Sequence, residues 1–107
     1  MPARFGSQSV TGTPATRTRM HASMAKVLIV DDDRFFLTIL GNFVTNRLKM
    51  RPLLVQDGAS ALRLLEKETA DLVLLDILMP EMDGLEVLRR IKDRHPSLPV
   101  IMVTGRE

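Results

Sequence analysis

Three short aliphatic runs, each stopping at polar residues, set the rhythm of this chain. VLIV, from Val27 to Val30, stops at Asp31, Asp32 and Asp33; LVLL, from Leu72 to Leu75, stops at Asp76; VIMV, from Val100 to Val103, stops at Thr104 and Gly105. Apolar runs of four with polar ends suit strands buried on both faces, as in a parallel sheet. A weaker strand is expected over 53–56, just after Pro52. Between the strands the apolar period lengthens to three and four, which predicts helices over about 33–48, 59–68 and 84–93. In the first helix Phe35, Phe36, Ile39, Leu40, Phe43, Val44 and Leu48 are expected to face inward, and in the second Ala61, Leu62, Leu64 and Leu65. Asp33 is a candidate N-cap; Asp57-Gly58 and Asp83-Gly84 read as turns. The alternation βαβαβαβ calls for an α/β fold with a doubly wound parallel sheet and right-handed crossovers. Ligands of such sheets bind at the carboxyl ends of the strands, and the acids sit on that rim.

Composition changes this picture little. The chain has 107 residues, enough for one small domain, and no cysteine, which excludes disulfides and thiolate metal sites. Apolar runs of four or five residues are far short of the ~20 that span a bilayer. With no Trp or Tyr, no aromatic platform for single-stranded nucleic acid is visible. The net charge of +2 misleads: residues 1–24 hold Arg4, Arg17 and Arg19 and no acid, leaving residues 25–107 at −1. Residues 1–24, rich in Ser, Thr, Gly and Pro and without hydrophobic periodicity, read as a disordered basic leader with neither a signal-peptide core nor an amphipathic transit pattern. Residues 25–107 read as the folded domain, with no direct nucleic-acid or membrane surface.

Gathered carboxylates need a counter-charge. Two like charges about 5 Å apart repel by roughly 3 kcal/mol at an effective dielectric of ~20, so either one stays protonated or a cation joins them. Carboxylates, carbonyls and water are the ligand set of Mg2+ or Mn2+. Asp31, Asp32 and Asp76 therefore read as a small hard-cation site, with Thr104 placed to donate a hydrogen bond to a bound anion and Gly105 leaving room for it. The plain alternative for each acid alone is a solvated loop end.

These residues in this order resemble the receiver domain of two-component response regulators. KVLIVDDD resembles that family's first strand and acidic pair, LVLLDILMPEMDGLEVLRRI its phosphoacceptor strand and following loop, and VIMVTGRE its fourth strand and switch threonine. The resemblance implies a flavodoxin-like three-layer sandwich in a cytoplasmic protein. It also implies that Asp76 accepts phosphate from a sensor histidine kinase or phosphotransfer protein and switches an output domain or effector. Asp32 and Asp76 would ligate Mg2+ (or Mn2+), with Asp31 assisting through water and Leu78 offering its backbone carbonyl. Thr104 and Gly105 would receive the phosphoryl group, and Leu78 and Arg106 occupy positions that tune its lifetime. A complete receiver continues with a fourth helix, a fifth strand ending in a lysine, and a fifth helix, none of which falls within these 107 residues. Lys67 and Lys92 lie in the predicted helices and cannot stand in for that lysine. Two further expectations follow: self-association through an exposed sheet edge, and, as the alternative function, a non-phosphorylated protein–protein interaction module on the same fold. A phosphatase with an aspartate nucleophile would need an acid where Leu78 stands.

Overall fold

The structure is a computed structural model that describes residues 24–79 and 83–103. Its elements are β1 (Lys26–Val30), α1 (Arg34–Asn46), β2 (Arg51–Val55), α2 (Gly58–Lys67), β3 (Leu72–Asp76), α3 (Gly84–Arg94) and β4 (Val100–Val103). The strands form one parallel sheet in the order β2-β1-β3-β4. A crossover of constant hand that steps one way to β2 and then the other way to β3 and β4 must place α1 on one face and α2 and α3 on the other. The core divides accordingly. Val27 and Ile29 of β1 pack with Leu37 and Val44 of α1, whereas Leu28, Val30, Val73 and Leu75 pack with Ala61 and Leu65 of α2 and Val87 and Ile91 of α3. Alternate residues of β1 thus serve opposite layers, which is why its run is apolar throughout. A fully buried Val, Leu or Ile side chain contributes about 1.5–3 kcal/mol, and Val30 and Leu75, paired across β1 and β3, directly precede the acidic rim.

Every described helix begins on an aspartate. Asp33 accepts from the Phe35 and Phe36 N–H groups, Asp57 from Ser60 N–H and Asp83 from Leu85 N–H. Asp57 and Asp83 are therefore caps as well as turn residues. β2 starts at Arg51, two residues earlier than the pattern suggested, and carries Pro52 inside it; β2 is a margin of the described sheet, where a missing N–H is tolerated.

The inward face expected for the first helix is corrected. α1 buries Leu37, Gly41 and Val44 and half-buries Phe36 and Leu40, while Phe35, Ile39 and Phe43 are exposed and Leu48 lies past the helix end. The apolar residues form two adjacent stripes, and only one can meet a flat sheet. The basic leader (except Met24) and the residues Thr104, Gly105 and Arg106 lie outside the described residues.

Candidate functional site

Parallel register builds the site. β1 and β3 pair from Val27 with Leu72 to Val30 with Leu75. The next residues on the two strands are Asp31 and Asp76, so the ladder delivers two carboxylates to one rim, and Asp32 follows at once. One oxygen from each of Asp31, Asp32 and Asp76 lies within 4.8 Å of the other two. Asp31 is 1% exposed and Asp76 2%; Asp32 is more open. The crevice between β1 and β3 is where the chain's direction across the sheet reverses, the position at which open α/β sheets bind ligands.

Main-chain groups hold the rim. Asp33 N–H donates to Asp31 Oδ1 at 2.9 Å, turning the chain from β1 into α1. Leu78 N–H donates to Asp76 Oδ1 at 3.1 Å, so the loop folds back onto the carboxylate it follows. Ile77 is pinned from two sides: its N–H donates to Val103 O at 3.2 Å, and its carbonyl accepts from Gly84 N–H at 3.1 Å. Met79 is buried in the core shared with α2 and α3, while the Leu78 side chain is 62% exposed beside the site.

The donor set fits a hard divalent cation. Each carboxylate pair at this spacing repels by about 3 kcal/mol at an effective dielectric of ~20. A charge-assisted hydrogen bond contributes about 1.5–3 kcal/mol, so a cation shared by all three acids is the most direct balance. Oxygen ligands of this kind suit Mg2+ or Mn2+.

The structure thus brings together Asp31, Asp32 and Asp76 as expected and sets Leu78 against Asp76 through its N–H. Thr104, which follows the register partner of Asp76 in sequence, is not among the described residues, nor are Gly105 and Arg106. Two contributors escaped the sequence reading. Met79 tethers the loop, signalled only as an apolar residue in a polar stretch, and Gly84 meets the backbone after Asp76, which no local pattern reveals.

The family model for the response regulator receiver domain matches residues 27–107. The chain belongs to this family. Among curated relatives of the receiver domain, response regulator MprA of Mycolicibacterium vanbaalenii is 37% identical over 83 residues, covering 77% of this chain and 35% of its own length. The chain spans about a third of the length of such curated relatives. Among solved structures, the N-terminal domain of a response regulator receiver protein from Methanoculleus marisnigri matches with a TM-score of 0.70 at 36% identity, over 78% of this chain and 69% of that one. Response regulator protein TrrA from Thermotoga maritima, solved in complex with Mg2+-BeF, matches with a TM-score of 0.70 at 30% identity, over 76% and 70% of the two chains. TrrA in complex with histidine kinase ThkA gives 0.72 at 28% identity, over 78% and 72%. The four-stranded parallel sheet and three helices are those of a flavodoxin-like receiver, the signalling domain of a two-component response regulator.

Proposed function

We infer that this receiver domain is a phosphorylatable switch in which Asp76 accepts a phosphoryl group from a phosphohistidine on a sensor histidine kinase or phosphotransfer protein. The observation that carries this reading is the convergence of Asp31, Asp32 and Asp76 oxygens within 4.8 Å at one rim. TrrA's complexes with Mg2+-BeF and with a histidine kinase support it. An Oδ of Asp76 forms the new P–O bond while the P–N bond to imidazole breaks; the imidazole leaves with the electron pair and takes up a proton. Asp31, Asp32, Asp76 and the Leu78 carbonyl would hold Mg2+ or Mn2+. Bound there, the cation supplies positive charge that offsets repulsion between the carboxylate and the phosphoryl oxygens. Thr104 would donate a hydrogen bond to the transferred group, Gly105 would leave it space, and Leu78 and Arg106 would set its lifetime by controlling access.

Residues 25–107 are read as receiver and 1–24 as a leader. The phosphorylated domain would switch an output domain or a partner protein. No described helix is long and apolar enough to cross a membrane, and the proposed phosphodonor places the domain in the cytoplasm.

The test is Mg2+-dependent labelling of the full-length protein by acetyl phosphate. Labelling should vanish in Asp76→Asn and on chelation. Labelling that persists in Asp76→Asn overturns the assignment, and failure of Mg2+ to shift the NMR signals of Asp32 and Asp76 would instead favour a phosphate-independent interaction module.

A further inference from the structure

Gly84 is the tightest glycine packing among the described residues. A Cβ at this position would stand 2.5 Å from Ile77 Cα, 2.8 Å from Asp76 O and 2.8 Å from Ile77 O. All three are main-chain atoms of Asp76 and Ile77, the residues at the end of β3. A flexible side-chain tip could swing clear; this backbone cannot move alone. Ile77 N–H is bonded to Val103 O, Ile77 O to Gly84 N–H, and Leu78 N–H to Asp76 Oδ1. The partners on either side are equally fixed. α3 is held by Val87 and Ile91 and capped by Asp83, and β3 is held by Val73 and Leu75, each of these four apolar side chains being fully buried. Gly41 makes the contrast: a Cβ there would meet only the Leu54 side chain, at 3.4 Å, an ordinary contact.

We propose that Gly84 is a positioning residue for the Asp76 site: its missing side chain lets the first turn of α3 press on the 76–78 backbone and fixes the aim of the Asp76 carboxylate and the Leu78 peptide toward Asp31 and Asp32. This rests on the phosphoacceptor reading above. A methyl group at 84 needs about 1 Å of relief before its contacts become ordinary. With strand and helix both locked into the core, the loop between them is what gives way. A displacement of about 1 Å near reacting groups is enough to slow chemistry by about 100-fold.

The experiment compares full-length wild type, Gly84→Ala and Gly41→Ala. Mg2+ dissociation constants come from NMR titration, and labelling rates from acetyl phosphate at saturating Mg2+, with the folded fraction of each protein fixed by urea melts. Gly84→Ala should bind Mg2+ about tenfold more weakly and label about 100-fold more slowly per folded molecule, with amide shifts displaced at Ile77 and Leu78. Gly41→Ala should match wild type in both. A folded Gly84→Ala with wild-type Mg2+ affinity and labelling rate overturns the proposal. Should the variant be unfolded in buffer, the measurements are made in trimethylamine N-oxide, which favours compact states; failure to fold there as well also overturns it, since Gly84 then serves the fold rather than the site. Wild type that neither binds Mg2+ nor labels sinks the phosphoacceptor reading instead, so the two failures are distinct.

Discussion

Asp76 is a buried carboxylate with two others as neighbours, and that crowding has a measurable consequence. Asp76→Asn keeps the side-chain volume and an oxygen to accept the Leu78 N–H, yet it removes one of three clustered carboxyl groups. In the metal-free protein the variant should be more stable than wild type by about 1–2 kcal/mol, a fraction of the pairwise repulsion at this spacing. With Mg2+ at tenfold over its dissociation constant wild type should gain about 1.4 kcal/mol and the variant much less, so the order narrows or inverts. Urea melts with chelator and with MgCl2 check this; an Asp76→Asn protein less stable than wild type in chelator would show that the cluster is not electrostatically strained. These acids were legible in the sequence because a residue that ends a buried strand has a fixed address on the sheet rim. Other single residues were not. Lys49 adopts a left-handed φ of 57° as the chain turns from α1 into β2, and nothing about a lysine announces that conformation. The Gly84 contact is invisible for a different reason: its partner atoms are fixed by the placement of α3 against β3, not by its neighbours in sequence.

Elements are set by their ends as much as by their faces. The three aspartate caps satisfy N–H groups that a helix start leaves without intrahelical partners. Asp57 makes the sign of the pH effect plain. Its carboxyl is held below the ordinary 3.8, first by the Ser60 N–H that donates to it and then by the Ser60 side chain. Because the folded value is depressed, the ionised cap's contribution is complete above that ordinary value and fades as pH falls through the folded one. Asp57→Ala should therefore cost about 1 kcal/mol at neutral pH, and the gap from wild type should close in acid; chemical denaturation across the acid range checks it, and a gap that stays constant would mean that the carboxylate is not what caps α2. Element type and order were legible because unbroken apolar runs of about four alternate with stretches whose apolar residues recur every three or four. The inward face of α1 was not. Its apolar residues cover two stripes, and choosing between them needs the sheet: Leu37 and Val44 pack with Val27 and Ile29 of β1, which leaves Phe35 out.

At the scale of the whole molecule, parallel strands send all four carboxyl ends to one side, so any macromolecular donor of phosphate to Asp76 must lie over that rim. Strand order, unlike strand existence, was not readable from hydrophobic pattern alone, because several orders satisfy the same alternation; the register of β1 with β3 is what makes the acids meet. The exposed stripe of α1 is a candidate surface for such a donor. α1 starts at Arg34, directly after the acidic turn, and its exposed stripe begins at Phe35, 74% exposed, and continues through Ile39 and Phe43. A phosphohistidine protein reaching Asp76 would bury this stripe, whereas acetyl phosphate is too small to contact both. Truncating exposed side chains costs the fold little, commonly within about 0.5 kcal/mol, while truncating an apolar anchor at an interface commonly costs about 2 kcal/mol or more of binding. The double variant Phe35→Ala, Ile39→Ala should therefore keep its melting midpoint and its labelling by acetyl phosphate, yet lose about tenfold or more in transfer efficiency from a phosphorylated histidine kinase or phosphotransfer protein. Equal losses with both donors would place the defect in the aspartate site, and equal retention would move the docking surface off α1.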